Sequence, residues 1–256
     1  MKSNPVIECL LDHKSIRAYT DVDPTDEVIE TMVRAAQQAP FAAQSYSFLL
    51  SRDKSKHPFK APLLFTVCVD MYKFERIREV RGWKRRTNDL NSIWMAVQDA
   101  SYAAQNLIIA GRSLGIGSCL LGAAPSYADR IAEQYDLPER VFPMVQLAMG
   151  YPDEAPPCRP RYPLGYTLFE DKYTRFTDEQ VREAMKVMDE GYLAQDYYSS
   201  KNAMIKLTMD REETYDFVTY SWTEHICRKM GQRSPDPGPM KKQLKQRGFD
   251  LNRANP

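Results

Sequence analysis

Two short stretches of this chain hold side chains suited to chemistry. The first is His13-Lys14-Ser15-Ile16-Arg17. In an extended chain successive side chains alternate faces, so His13, Ser15 and Arg17 fall on one side and Ile16 on the other. Three donors beside an apolar anchor suit a phosphate monoester. The same residues equally suit a polar exit from a helix, with the arginine paired to a surface acid. The second stretch is Arg159-Pro160-Arg161. Proline disfavours helix at the residue before it, which makes this pair semi-rigid. Two guanidinium groups can neutralise a phosphate dianion, and they can also be solvated arginines in a proline-rich linker.

Two further stretches offer backbone rather than charge. Residues 114–123, LGIGSCLLGA, resemble a glycine-rich dinucleotide loop only superficially. Here a helix precedes the glycines and strand-like sequence follows, the reverse of the order that loop requires. The glycines instead permit a sharp turn or close approach to a flat ligand. Residues 39–44, APFAAQ, end a helix in small residues and a side-chain amide. Such a turn can meet a heterocycle edge, or be an ordinary helix stop.

The elements that must position these stretches are legible in outline. A helix is expected from Pro5 to about Asp12, with Asn4 as N-cap and Pro5 at the first helical position. A second should run from Asp26 to Gln38, acidic in its first turn and stopped by Ala39-Pro40. Ser47–Ser51 and Leu63–Val69 read as strands, the second nearly all apolar and so central. Residues 70–92 read as helix or loop. The alanine-rich run ending at Gly115 is apolar on more than one face, which predicts a buried helix with Gly115 just past its end. GSCLLGA reads as a short strand or strand-like turn, Ser126–Tyr135 as a helix and Pro143–Gly150 as a buried strand. Residues 151–165 form a proline-rich loop. Thr177 and Gln180 form a capping box at the start of another helix. The last thirty residues, with Pro235, Pro237 and Pro239, read as a basic arm.

Composition narrows the function. The chain has 256 residues, 43% of them hydrophobic, enough for a substantial core. A net charge of +1 argues against a broad polyanion-binding surface, and the basic residues from Arg228-Lys229 to Lys245-Arg247 read as a solvated helix face, so no nucleic-acid partner is expected. Five scattered cysteines without a CxxC read as free thiols, Cys119 and Cys158 as buried structural ones. Three dispersed histidines make no metal site. No apolar run is long enough for a signal or a membrane span, so the expected location is cytoplasmic. Trp83, Trp94 and Trp222 are expected in the core or an interface.

Taken together, HKSIRAYTD, AAQQAPFAAQ, AAQNLIIAGRSLGIGSCLLGA, LPERVFPMVQLAMGYP and PPCRPRYP occur in the order and spacing of the nitroreductase family. The chain is similar to that family over about residues 4–230. It most resembles the branch of oxygen-insensitive NADPH nitroreductases and flavin reductase P, whose C-terminal extension YYSSKNAMIK and YSWTEHICRK resemble. The resemblance implies an α+β fold: a mixed β-sheet flanked by helices, with a C-terminal helical extension, in an intertwined homodimer. It implies an FMN-binding core over residues 1–176 and an extension or arm over 177–256, packed on the core or the partner subunit.

By the same resemblance, His13, Lys14, Ser15, Ile16 and Arg17 line the FMN phosphate and ribityl site, which Arg159 and Arg161 complete. The backbone of Leu120, Leu121, Gly122 and Ala123 runs past the isoalloxazine, and Pro40, Phe41, Ala42 and Gln44 lie under it. Lys201 and Lys206 match a basic pair associated with the NADPH 2′-phosphate. The implied activity is two-electron transfer from NADPH or NADH to nitroaromatic, quinone or flavin acceptors by a ping-pong mechanism. The flavin carries the chemistry, so no catalytic side chain is assigned. A non-catalytic flavin carrier or sensor, or a specialised reductase of a non-nitro substrate, would share this site. The chain departs from the family pattern at Phe41, often serine, and at Gln44, often asparagine. Its short segment DKSKHPFKAP has no match for the glutamine that meets the flavin pyrimidine edge.

Overall fold

The computed structural model describes residues 2–84, 88–232 and 236–251. In chain order the elements are α1 (Pro5–Leu11), α2 (Asp26–Gln37), β1 (Tyr46–Ser51), β2 (Leu63–Asp70), α3 (Tyr72–Val80), α4 (Asp89–Ser113), β3 (Gly117–Leu121), α5 (Ala128–Gln134), β4 (Val141–Gly150), α6 (Asp178–Leu193), α7 (Trp222–Gly231) and α8 (Gly238–Gln246). They form two compact units, Met1–Pro156 with Pro237–Pro256, and Pro157–Asp236. These units are drawn at other points than the functional division expected at 176/177.

The first unit is a four-stranded sheet of order β1-β2-β4-β3 with helices packed on it. All three strand pairings are antiparallel, and an isolated parallel bridge joins Ser15 to Ser118 at the open edge of β3. β2 is central, as its apolar run predicts, and all eight of its residues are buried. Leu63, Phe65 and Val67 share one core with α2 and α4, while Leu64 packs with Cys119 and Ala148 in another.

Local signals set the helix ends. The Asn4 side chain accepts from the Ile7 N–H at 2.9 Å and Pro5 opens α1. Asn88 caps α4 in the same way, accepting from Asn91 N–H at 2.8 Å. Past α4, Gly115 has φ +79°, a left-handed conformation that favours glycine. The small side chains of α4 let α2 approach closely, so Ile29, Met32 and Ala36 pack against Ala100, Ala103, Ala104 and Leu107.

The basic tail has no core of its own but is firmly anchored. Leu244 and Phe249 pack with Val69, Met71, Ala96 and Phe142. Arg140 bonds Glu75 (2.8 Å), Asp89 (2.7 Å) and the Gly248 carbonyl (2.6 Å), with its guanidinium 4.2 Å from the Phe249 ring centroid. Pro235, expected in the middle of the arm, and residues 85–87 of the 70–92 stretch lie outside the described residues.

In the second unit, α6 opens with both arms of the Thr177–Gln180 capping box. Asp189 on α6 accepts from the Thr223 N–H at 2.8 Å and so caps α7. Arg228 corrects the expectation of a solvated basic face. It is buried, bonded to Glu213 (2.6 and 2.7 Å), Glu224 (2.7 Å) and the Ile205 carbonyl (2.8 Å). These bonds hold its pKa above the ordinary arginine value, Glu213 foremost. Trp83 and Trp94 are not core residues, being 72% and 69% exposed. Trp83 lies beyond α3, and Trp94 lies on the outer side of α4, whose neighbouring Ile93, Ala96 and Val97 pack toward Val69 and Phe142. Trp222 instead packs edge-on to Tyr162 at 5.5 Å.

Candidate functional site

The His13–Arg17 stretch follows α1 directly and is fixed to the edge of the sheet. The Ile16 N–H donates to the Ser118 carbonyl at 2.9 Å. Ile16 is buried, and this close approach is possible because residue 117 is glycine. A Cβ there would lie 2.6 Å from Ile16 Cγ1 and 3.0 Å from Pro152. The Tyr19 hydroxyl reaches back to the carbonyls of Ile16 (2.6 Å) and Ala148 (2.9 Å). Burial, then the nearby Cys119 and Glu154, push the Tyr19 phenol above its ordinary range. The Glu154 carboxylate accepts from the backbone N–H groups of Arg17 and Ala18, the latter at 3.1 Å.

The expected sorting of side chains is altered at His13. With Lys14 and Ile16 it lines a cleft of about 270 Å³ that also touches Arg112, Gly117 and Ser118. Ser15 and Arg17 do not line it. His13 still belongs to the helix exit, its N–H donating to the Leu10 carbonyl at 3.3 Å, so the strand-like alternation starts after it. Lys14 pairs with Asp12 at 3.1 Å, and Asp12 also pairs with Arg112. Arg17 sits beside Cys119, where it opposes the burial that raises the thiol's pKa.

A second arrangement follows α2. The loop through Pro40, Phe41, Ala42 and Gln44 closes around Asp99, in the middle of α4. This buried carboxylate accepts from the N–H groups of Ala42 (2.7 Å), Ala43 (3.1 Å) and Ser45 (3.0 Å). Gln44 has φ +51°. Phe41 is 55% exposed, as is Leu120 on β3. Leu121 is half-buried, and Gly122 and Ala123 are exposed where the chain leaves the strand.

Within the second unit, Pro160 packs on α6 where Gly191 leaves room, a Cβ at 191 falling 2.5 Å from Pro160 Cγ. Arg159 bonds to Gln195, whose amide donates to the Cys158 carbonyl at 2.9 Å. The Arg159 guanidinium lies 4.1 Å from the Tyr197 ring centroid, and Lys201 Nζ lies 3.8 Å from it. Arg161 is exposed and donates to the carbonyls of Arg159 (2.9 Å) and Pro160 (3.0 Å). Lys206 is exposed, its carbonyl accepting from Gln232 at 2.7 Å.

The structure thus brings residues 13–17 together with the start of β3, and places the 40–45 loop on Asp99. The sequence reading missed Asp99, Tyr19, Glu154 and Tyr197. Only Asp99 left a signal, as a lone carboxylate in an alanine-rich buried helix. None of the five cysteines is in a disulfide: Cys68 and Cys119 are buried, Cys9 and Cys158 half-buried and Cys227 exposed. Burial pushes the Cys68 thiol up to about 12. Among the described residues there is no cluster able to hold a metal, and no helix is long and apolar enough to cross a membrane.

Residues 48–151 match the model of the nitroreductase family. The chain is 29% identical to a protein named FMN reductase (NADPH) of Bacillus subtilis (strain 168), covering 97% of this chain and 100% of that one. It is 25% identical to the oxygen-insensitive NADPH nitroreductase of Salmonella typhimurium (strain LT2), covering 89% and 91%. The solved NfrA1 nitroreductase of B. subtilis superposes with a TM-score of 0.79 at 28% identity, covering 96% of this chain and all of that one.

Proposed function

We propose that this chain is a member of the nitroreductase family and an FMN-dependent oxidoreductase carrying electrons from NAD(P)H to small acceptors, as its family match and its FMN reductase and nitroreductase relatives support. One observation carries the reading: the His13–Arg17 segment is fixed along β3 by the Ile16–Ser118 hydrogen bond and the Tyr19 hydroxyl. This supports a phosphate site built on the Ser15 hydroxyl and the Arg17 guanidinium, carried by a segment bonded to the sheet edge.

The donor set fits a flavin nucleotide. Arg17 and Ser15 suit its phosphate and ribityl chain; His13 and Lys14, which line the neighbouring cleft, are further candidates for the same chain. The exposed Phe41 and Leu120 offer apolar surface to a ring system. Arg159 and Arg161 are further candidates for the phosphate, and Lys201 and Lys206 for the donor's 2′-phosphate. When bound, the flavin supplies two-electron chemistry that no side chain of this protein can supply alone. The protein's part is to hold the flavin, to keep its face open to one partner at a time, and to place backbone N–H groups where negative charge develops. One face serving donor and acceptor in turn gives ping-pong kinetics, with nitroaromatics, quinones and free flavin as the acceptor classes.

We also infer a homodimer. Val6, Leu10 and Leu11 of α1 are exposed apolar residues, as are Leu90, Trp94 and Tyr102 of α4, and surfaces of that kind mark association sites.

The test is the visible spectrum of the purified protein, followed by NAD(P)H oxidation with a quinone. One FMN per chain and acceptor-dependent turnover are expected. A colourless protein that takes up no added FMN would overturn the reading. A bound flavin that NAD(P)H does not reduce would point to a carrier or sensor.

A further inference from the structure

Asp99 is buried at 1% exposure in the middle of α4, and the chemistry outlined above does not use it. A carboxylate there must be satisfied by strong donors. The donors are three backbone N–H groups within one short loop: Ala42 to Oδ1, and Ala43 and Ser45 to Oδ2. A neutral amide at this position would offer one acceptor oxygen for three donors and aim its own N–H groups at others. Successive N–H groups converging on one anion make a nest. Here the chain curls around the carboxylate, and Gln44, the residue skipped, takes φ +51°. That conformation is unfavourable for a residue other than glycine and persists only where its surroundings impose it.

We propose that Asp99 is the positioning residue that holds the Pro40–Ser45 loop in the shape that receives the ring of the bound flavin. The inference rests on the flavin reading above and deepens it. Asp99 acts through the loop and touches no reacting atom. Because α4 is packed into the sheet core, the loop is held to that core at its middle as well as at its ends in α2 and β1.

The test compares wild type with Asp99→Asn. The measurements are amide exchange at residues 42, 43 and 45, the dissociation constants of FMN and riboflavin, and the visible spectrum of the bound flavin. Exchange at the three amides should rise while the α4 amides stay protected. Both flavins should bind about tenfold to a hundredfold more weakly, and by the same factor, because the defect lies on the ring side. Arg17→Ala is the contrast, weakening FMN and sparing riboflavin.

If Asp99→Asn melts earlier but keeps wild-type loop exchange and wild-type affinity for both flavins, Asp99 is merely structural and the proposal fails. If wild type itself binds neither flavin, the flavin reading fails, and this inference with it. Should Asp99→Asn not be recovered folded, Asp99→Glu carries the same test. It keeps the charge, adds one methylene, and must show the same loosened amides and weakened flavins.

Discussion

Ile16 donates its backbone N–H to the carbonyl of Ser118 at 2.9 Å, so a segment leaving the first helix is paired to a strand that follows the longest one. Together with the Glu154 bonds to Arg17 and Ala18 and the Tyr19 hydroxyl on Ile16, that bond sets where Ser15 and Arg17 stand.

Gly117→Ala should disturb the pairing without altering any donor. The added Cβ would fall 2.6 Å from Ile16 Cγ1 and 3.0 Å from Pro152, and neither partner is the free end of a flexible chain. A loss of about 1–3 kcal/mol is expected from the forced overlap. Chemical denaturation measures it, and FMN titration should show weaker binding in parallel.

Tyr19 should make the same segment sensitive to alkali. Burial raises its phenol above the ordinary value of 10, so the folded protein holds the proton longer than the unfolded chain does. The unfolded state therefore binds fewer protons above pH 10. Stability from this group is complete below pH 10 and falls as pH rises through the folded-state value. Urea midpoints between pH 9 and 11 should fall more steeply in wild type than in Tyr19→Phe. At neutral pH the variant should cost about 1 kcal/mol for its lost hydrogen bond. Parallel alkaline slopes would remove Tyr19 from the account.

Lys201→Ala combined with Lys206→Ala tests donor preference. If these lysines meet the 2′-phosphate, KM for NADPH should rise about tenfold while that for NADH stays nearly constant. Equal effects on both donors would assign the lysines elsewhere. Lys201 would then be left to its contact with Tyr197 at 3.8 Å.

Phe249→Ala should reveal the anchoring of the tail. The ring is 1% exposed and covered by Arg140. Emptying such a site costs about 3–5 kcal/mol, read as a lowered denaturation midpoint. A change below 1 kcal/mol would mean that the tail is a dispensable appendage.

The features legible in the sequence are those whose causes lie within a few residues. Asn4 and Pro5 start α1, Gly115 ends the long helix in a left-handed turn, and Thr177 and Gln180 cap each other across three positions. The apolar run 63–69 announced a central strand because burial on both faces needs no partner to be named. The candidate stretches 13–17 and 39–44 were visible as donors and turn formers. What holds them was not. Asp99 meets a loop 54 to 57 positions away, Ser15 bridges to Ser118, and Tyr19 reaches Ala148. Arg228 read as a surface cation, yet it is buried on Glu213 and Glu224. Trp83 and Trp94 read as core or interface aromatics, and the core half of that reading fails because both are exposed. Residue type sets what a side chain can bond to. Which distant backbone group or charge arrives beside it is decided by the packing of α2, α4 and the sheet, a property of the whole chain that no local pattern records.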